Sequence, residues 1–170
     1  MKRLLLFSLL ATTLGTTAFC QQDKSKRPSP PDSVTQTTAT GLTISINYSQ
    51  PSVKGRTIGK DIAPYGKVWR TGANEATTFE INKDATIQGQ ALPAGKYSIY
   101  SIPGEDEWTI IFNKTWQQWG TNYKDTDDAL RVKVKPSKAP AFAEKLTFKV
   151  NPSGQVTFMW GDTQASFTVK

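Results

Sequence analysis

Apolar and polar residues alternate along most of this chain with a period of two. Leu42, Ile44, Ile46 and Tyr48 fall on one side, and Thr43, Ser45 and Asn47 on the other, which is the pattern of a strand with one buried face. Residues 33–38 are predicted to pair with it as a hairpin, because Ala39-Thr40-Gly41 is a short polar link whose glycine can take positive φ. Further strands are predicted at 77–81, 86–88, 97–102, 108–112, 130–134, 146–150, 156–160 and 167–169. Turn chemistry separates them, as in Asn82-Lys83-Asp84, Pro93-Ala94-Gly95, Pro103-Gly104, Asn151-Pro152-Ser153-Gly154 and Gly161-Asp162. No segment is long enough at a helical period to compete. About ten short strands at this spacing predict an all-β chain, a single antiparallel β-sandwich of immunoglobulin-like or jelly-roll-like kind. No internal repeat is evident, which disfavours a propeller or solenoid.

The amino terminus follows different rules. Lys2 and Arg3 precede the apolar run 4–10 and the small-residue stretch ATTLGTTA, the layout of a secretory signal. The chain therefore divides into a signal peptide at 1–20, a polar Pro-rich linker at 21–32 expected to be disordered, and a domain at 33–170. The apolar run is far shorter than the roughly 20 residues of a membrane span, and no later segment is apolar enough to be one. The expected location is periplasmic or secreted. Cleavage after Cys20 places Ala18 and Cys20 at the two positions that favour small side chains. The rival reading makes Cys20 an acylated anchor, which the bulky Phe19 opposes.

Composition changes the picture mainly by exclusion. The 170 residues include no histidine and one cysteine, Cys20 in the leader. Imidazole bases, histidine metal ligands, zinc thiolates and disulfides are thereby removed from the domain, and no cofactor or metal is expected. The formal charge of +7 is spread along the chain without a basic block. Nucleic acid is not an expected partner, and the oligomeric state is left open.

Two segments break the strand rhythm, 51–72 and 113–128, and long irregular segments in a compact domain are often functional. The first and the turn after it supply Lys54, Arg56, Trp69, Arg70, Asn74 and Glu75; the second supplies Asn113, Trp116 and Trp119. Arg70 and Asn74 are suited to a carboxylate or sugar hydroxyls, and Trp69 offers a flat apolar face. Trp116 and Trp119, beside the amides of Asn113, Gln117 and Gln118, could stack on the C–H faces of a sugar, whereas Trp108 and Trp160 lie in apolar strands and read as core. Arg70 and Glu75 straddle Thr71-Gly72-Ala73-Asn74 and are expected to meet as an ion pair across that turn. The run Asp125-Thr126-Asp127-Asp128 lacks the glycine and distal glutamate of a calcium loop and reads as a solvated turn.

In this order, SQPSVKGRTIG, YGKVWRTGANEATTFEI, LPAGKYSIYSIP, WTIIFNK and WG resemble the exported bacterial family catalogued as domain of unknown function family 2911. The resemblance spans nearly all of 33–170, and WRTGANEAT is its most distinctive part. It implies a secreted β-sandwich-like domain of undetermined activity and carries over no catalytic residue. The expected function is a non-catalytic ligand-binding module for a glycan or another cell-envelope component. Two alternatives stand beside it: a hydrolase that works without histidine through Glu75 and a second carboxylate, and a structural envelope domain with a protein partner.

Overall fold

The computed structural model describes residues 23–170. The leader, with both cleavage readings at Cys20, lies outside the described residues. Ten strands follow: β1 (Pro31–Thr37), β2 (Thr43–Ser49), β3 (Thr77–Ile81), β4 (Ala85–Ile87), β5 (Gln90–Leu92), β6 (Gly95–Ile102), β7 (Trp108–Asn113), β8 (Asp128–Val134), β9 (Ser137–Val150) and β10 (Gln155–Thr168). Six form one antiparallel sheet in the order β1-β2-β3-β6-β7-β8, while β9 pairs with β10 and β4 with β5.

The period-two pattern has its physical counterpart in the core. Ile44, Ile46, Phe79, Ile81, Ile99, Ile110 and Phe112 from the six-stranded sheet pack against Leu146, Phe148, Val156, Phe158, Ala165 and Phe167 of the β9-β10 ribbon. Two layers facing one apolar interior make the predicted sandwich, stabilised by burial of these side chains. Short pairings widen the second layer. Ser52 bridges Lys145 on one side of the ribbon, and Ile87 bridges Val169 on the other.

The predicted β1-β2 hairpin forms with Val34 opposite Ile46, and Gly41 has φ +75°. At the carboxyl end the structure differs from the sequence reading. The two strands expected at 156–160 and 167–169 are one, because Gly161-Asp162 does not turn the chain. Gly161 sits opposite Ala143 at φ +59°, and the longer stretch 138–143 of β9 bulges opposite 161–163. Strand β5 has no alternation of its own; it exists because Gln88 and Gly89, both at positive φ, fold it back onto β4.

The stretch read as a disordered linker also differs where it is described. Lys24–Lys26 is a 3-10 turn capped by Asp23, and Pro31 and Asp32 already belong to β1. The Tyr48 hydroxyl donates to Asp32 Oδ2 at 2.6 Å and accepts the Phe148 N–H at 3.1 Å, so one phenol ties β1, β2 and β9 together.

Candidate functional site

The two irregular segments meet. Between Trp69 and Ser101, and between Glu75 and Trp119, there are single antiparallel bridges. The Ala76 N–H donates to Gln118 O at 3.0 Å, and the Gly120 N–H donates to Asn74 O at 2.9 Å. The loop after β7 is thereby fastened alongside the Trp69–Glu75 turn, on the side of the six-stranded sheet where Tyr100, Ile111 and Tyr123 form a second, smaller apolar cluster.

The turn stores backbone strain. Thr71 has φ +47° and Asn74 φ +59°. A β-branched residue in the left-handed region costs about 1–3 kcal/mol and persists only where its surroundings hold it. Thr71 is fully buried; its hydroxyl donates to Ser101 Oγ at 2.9 Å, and its carbonyl accepts the Thr77 hydroxyl at 2.9 Å. Trp69 and Arg70 stand just before this locked residue. The Trp69 ring stacks on Trp160 at 5.0 Å and meets Trp108 edge-on at 6.3 Å, so it is braced by the core although the residue still borders the cleft beside Arg70.

Arg70 lines a cleft of about 440 Å³ with Val68, Trp69, Tyr100, Gly120, Thr121 and Tyr123. Its Nε donates to Gly72 O at 3.4 Å, and among the described residues its guanidinium makes no ion pair. Gly120 makes this possible, since a Cβ there would lie 2.5 Å from Arg70 Cδ and 3.0 Å from Asn74 O. Tyr100 and Tyr123 stand together with ring centroids 4.7 Å apart. The Tyr123 hydroxyl donates to Asp128 Oδ2 at 2.8 Å and accepts from Arg131 Nη2 at 2.9 Å. Burial first, then the hydrogen bond to Asp128, pushes Tyr123 up to about 12, so it remains a neutral phenol at neutral pH. The other oxygen of Asp128 accepts from Asn113 Nδ2 at 2.9 Å. Gln118 Nε2 donates to the Tyr100 hydroxyl at 3.1 Å.

The expected Arg70–Glu75 pair is not formed. The Glu75 carboxylate accepts two hydrogen bonds from Arg27 Nη1, at 2.9 and 3.0 Å, and lies 3.0 Å from Lys24 Nζ. Burial favours the neutral acid, but the backbone hydrogen bond at Glu75 and those from Lys24 and Arg27 outweigh it and hold the carboxyl at about 2. Such a group stays ionised at neutral pH and is a poor proton donor. The Asn74 amide is likewise occupied, donating to Ser29 O at 2.9 Å.

The remaining expectations divide. Asn113 is fully buried and bonded to Lys124 O, Asp128 and the Thr115 N–H, so its amide holds the loop instead of facing a ligand. Arg56 folds back onto the carbonyls of Val53 and Ser52, and the Lys54 N–H donates to the Glu144 carboxylate of β9. Neither of the two lines the cleft at Arg70. Trp116 and Trp119 are exposed at 37% and 47%, with Lys96 Nζ 4.6 Å from the Trp116 ring centre. Trp108 and Trp160 are core, as expected. Sequence reasoning missed Tyr100 and Tyr123. Tyr100 had a signal, being the large residue on the face of β6 opposite Tyr97 and Ile99.

The model of the family described as Protein of unknown function (DUF2911) matches residues 29–169. No curated protein and no solved structure matches the chain.

Proposed function

Starting from a chain that belongs to the DUF2911 family, we propose that it is an exported, non-catalytic binding module whose ligand is a glycan or another component of the cell envelope. The observation that carries this reading is the Arg70 cleft, where an arginine without an acidic partner among the described residues shares the lining with Tyr100 and Tyr123. Concave, largely apolar sites with a few oriented polar groups are the usual form of small-ligand sites. Local strain at Thr71 supports it, since such strain clusters at sites that must hold a group in place. Exposed Trp119, next to the cleft residue Gly120, adds an indole face of the kind that stacks on sugar rings.

The test is a glycan array covering neutral and acidic cell-envelope saccharides, followed by calorimetry on any hit. Wild-type protein should retain at least one saccharide class, and Trp119→Ala should weaken binding about tenfold with an unchanged melting temperature, because that indole is half exposed. Failure to retain any saccharide would sink the glycan reading.

A further inference from the structure

Resting on that reading, we infer that the ligand carries a carboxylate, and that the Arg70 cleft is the seat of an acidic sugar residue of the hexuronate class. The seven cleft-lining residues include one cation and no acid. The nearest carboxylate in sequence, Glu75, is drawn away by Arg27 and Lys24. Asp128, which accepts from the cleft residue Tyr123, has its oxygens taken by Asn113, Tyr123 and Arg131. An anion entering the cleft therefore meets an unopposed guanidinium.

The shape of that guanidinium selects the anion. Nε is turned to Gly72 O, which leaves Nη1 and Nη2 without a hydrogen bond among the described residues. This planar edge matches the two oxygens of a carboxylate through parallel hydrogen bonds. One fixed positive charge balances one carboxylate, whereas a phosphate monoester near −2 would remain partly uncompensated. Arg70 is also positioned in advance. Gly120 lets its stem lie against backbone, and the Thr71–Ser101 hydrogen bond locks the turn behind it, so little ordering remains to be done on binding. Val68 and Tyr123 then offer apolar surface to the C–H face of the sugar, with Tyr100 buried behind Tyr123 as its support, and Thr121 completes the lining.

The experiment titrates wild-type protein with three disaccharides of one linkage, ending in glucuronic acid, in the corresponding uronamide and in glucose. The acid should bind at least about tenfold tighter than the other two at low salt, and this margin should shrink as salt is raised. Arg70→Met should erase the margin and Arg70→Lys should keep part of it; Gly120→Ala, which displaces the Arg70 stem, should act in the same direction. Should any of the three variants fail to fold, the uronamide comparison on wild type still decides the need for charge. Equal affinity for all three disaccharides overturns this inference and leaves the module reading standing. A preference for the acid that survives in folded Arg70→Met overturns the choice of seat. No binding of these or any arrayed saccharide overturns both.

Discussion

Replacing Glu75 by glutamine should weaken the attachment of the 24–29 segment to the sheet and should do so only where the carboxylate is charged. In the folded chain this group accepts two hydrogen bonds from Arg27 and one contact from Lys24, all at 2.9–3.0 Å. The drop of its carboxyl from 4.5 to about 2 would correspond in a fully buried site to about 3 kcal/mol. The side chain is 42% exposed, so solvent screening reduces the expected contribution to about 1 kcal/mol. Because the folded group titrates below the unfolded one, the unfolded chain binds the extra proton in between. The contribution is therefore complete above about pH 5 and disappears as pH falls from about 4.5 through 2. Urea denaturation of wild type and Glu75→Gln at a series of pH values measures it. The two curves should differ by about 1 kcal/mol at pH 7 and converge toward pH 2, with a smaller gap at high salt. A gap that is absent at pH 7, or that stays constant down to pH 2, would refute the reasoning.

Thr71→Val keeps the shape of the strained residue but leaves the buried Ser101 hydroxyl without its partner, so it should cost about 1–3 kcal/mol in denaturant unfolding. Adding Ser101→Ala should restore part of that loss, and strict additivity of the two changes would argue against the contact. Tyr48→Phe removes the link between Asp32 and the Phe148 N–H and should destabilise the chain by about 1–3 kcal/mol; a melting temperature equal to wild type would show that the link is replaceable. If the chain is exported as proposed, the intact mass of the mature protein should correspond to an amino terminus at Gln21 without acyl chains, and a lipid-modified Cys20 would instead establish the anchored form.

The sandwich was legible along the chain because its cause is local and periodic. A strand with one wet face must alternate, and Leu42 to Tyr48 and Thr77 to Ile81 each carry that alternation in a few consecutive residues. Where the governing partner was distant, the sequence underdetermined the outcome. Gly161-Asp162 has the composition of a turn, yet pairing with Ala143 of β9 keeps β10 continuous through it. Trp69 and Trp119 are the same residue type in irregular segments, and the approach of Trp108 and Trp160 packs the first against the core while the second stays half exposed.

The candidate site shows the same division more sharply. Its two irregular segments stood out in the sequence as breaks in the rhythm, but the bridge from Glu75 to Trp119 that joins them spans residues the sequence cannot place side by side. Four residues separate Arg70 from Glu75, and proximity along the chain favoured their pairing. A carboxylate, however, is shared among whichever cations the fold brings within reach. Arg27 and Lys24 come from what read as a linker, and by holding Glu75 they leave Arg70 free to face the cleft. Residue types and strand periodicity are properties of the chain itself; which charge remains unpaired is a property of packing, because it depends on every other charge that folding brings near.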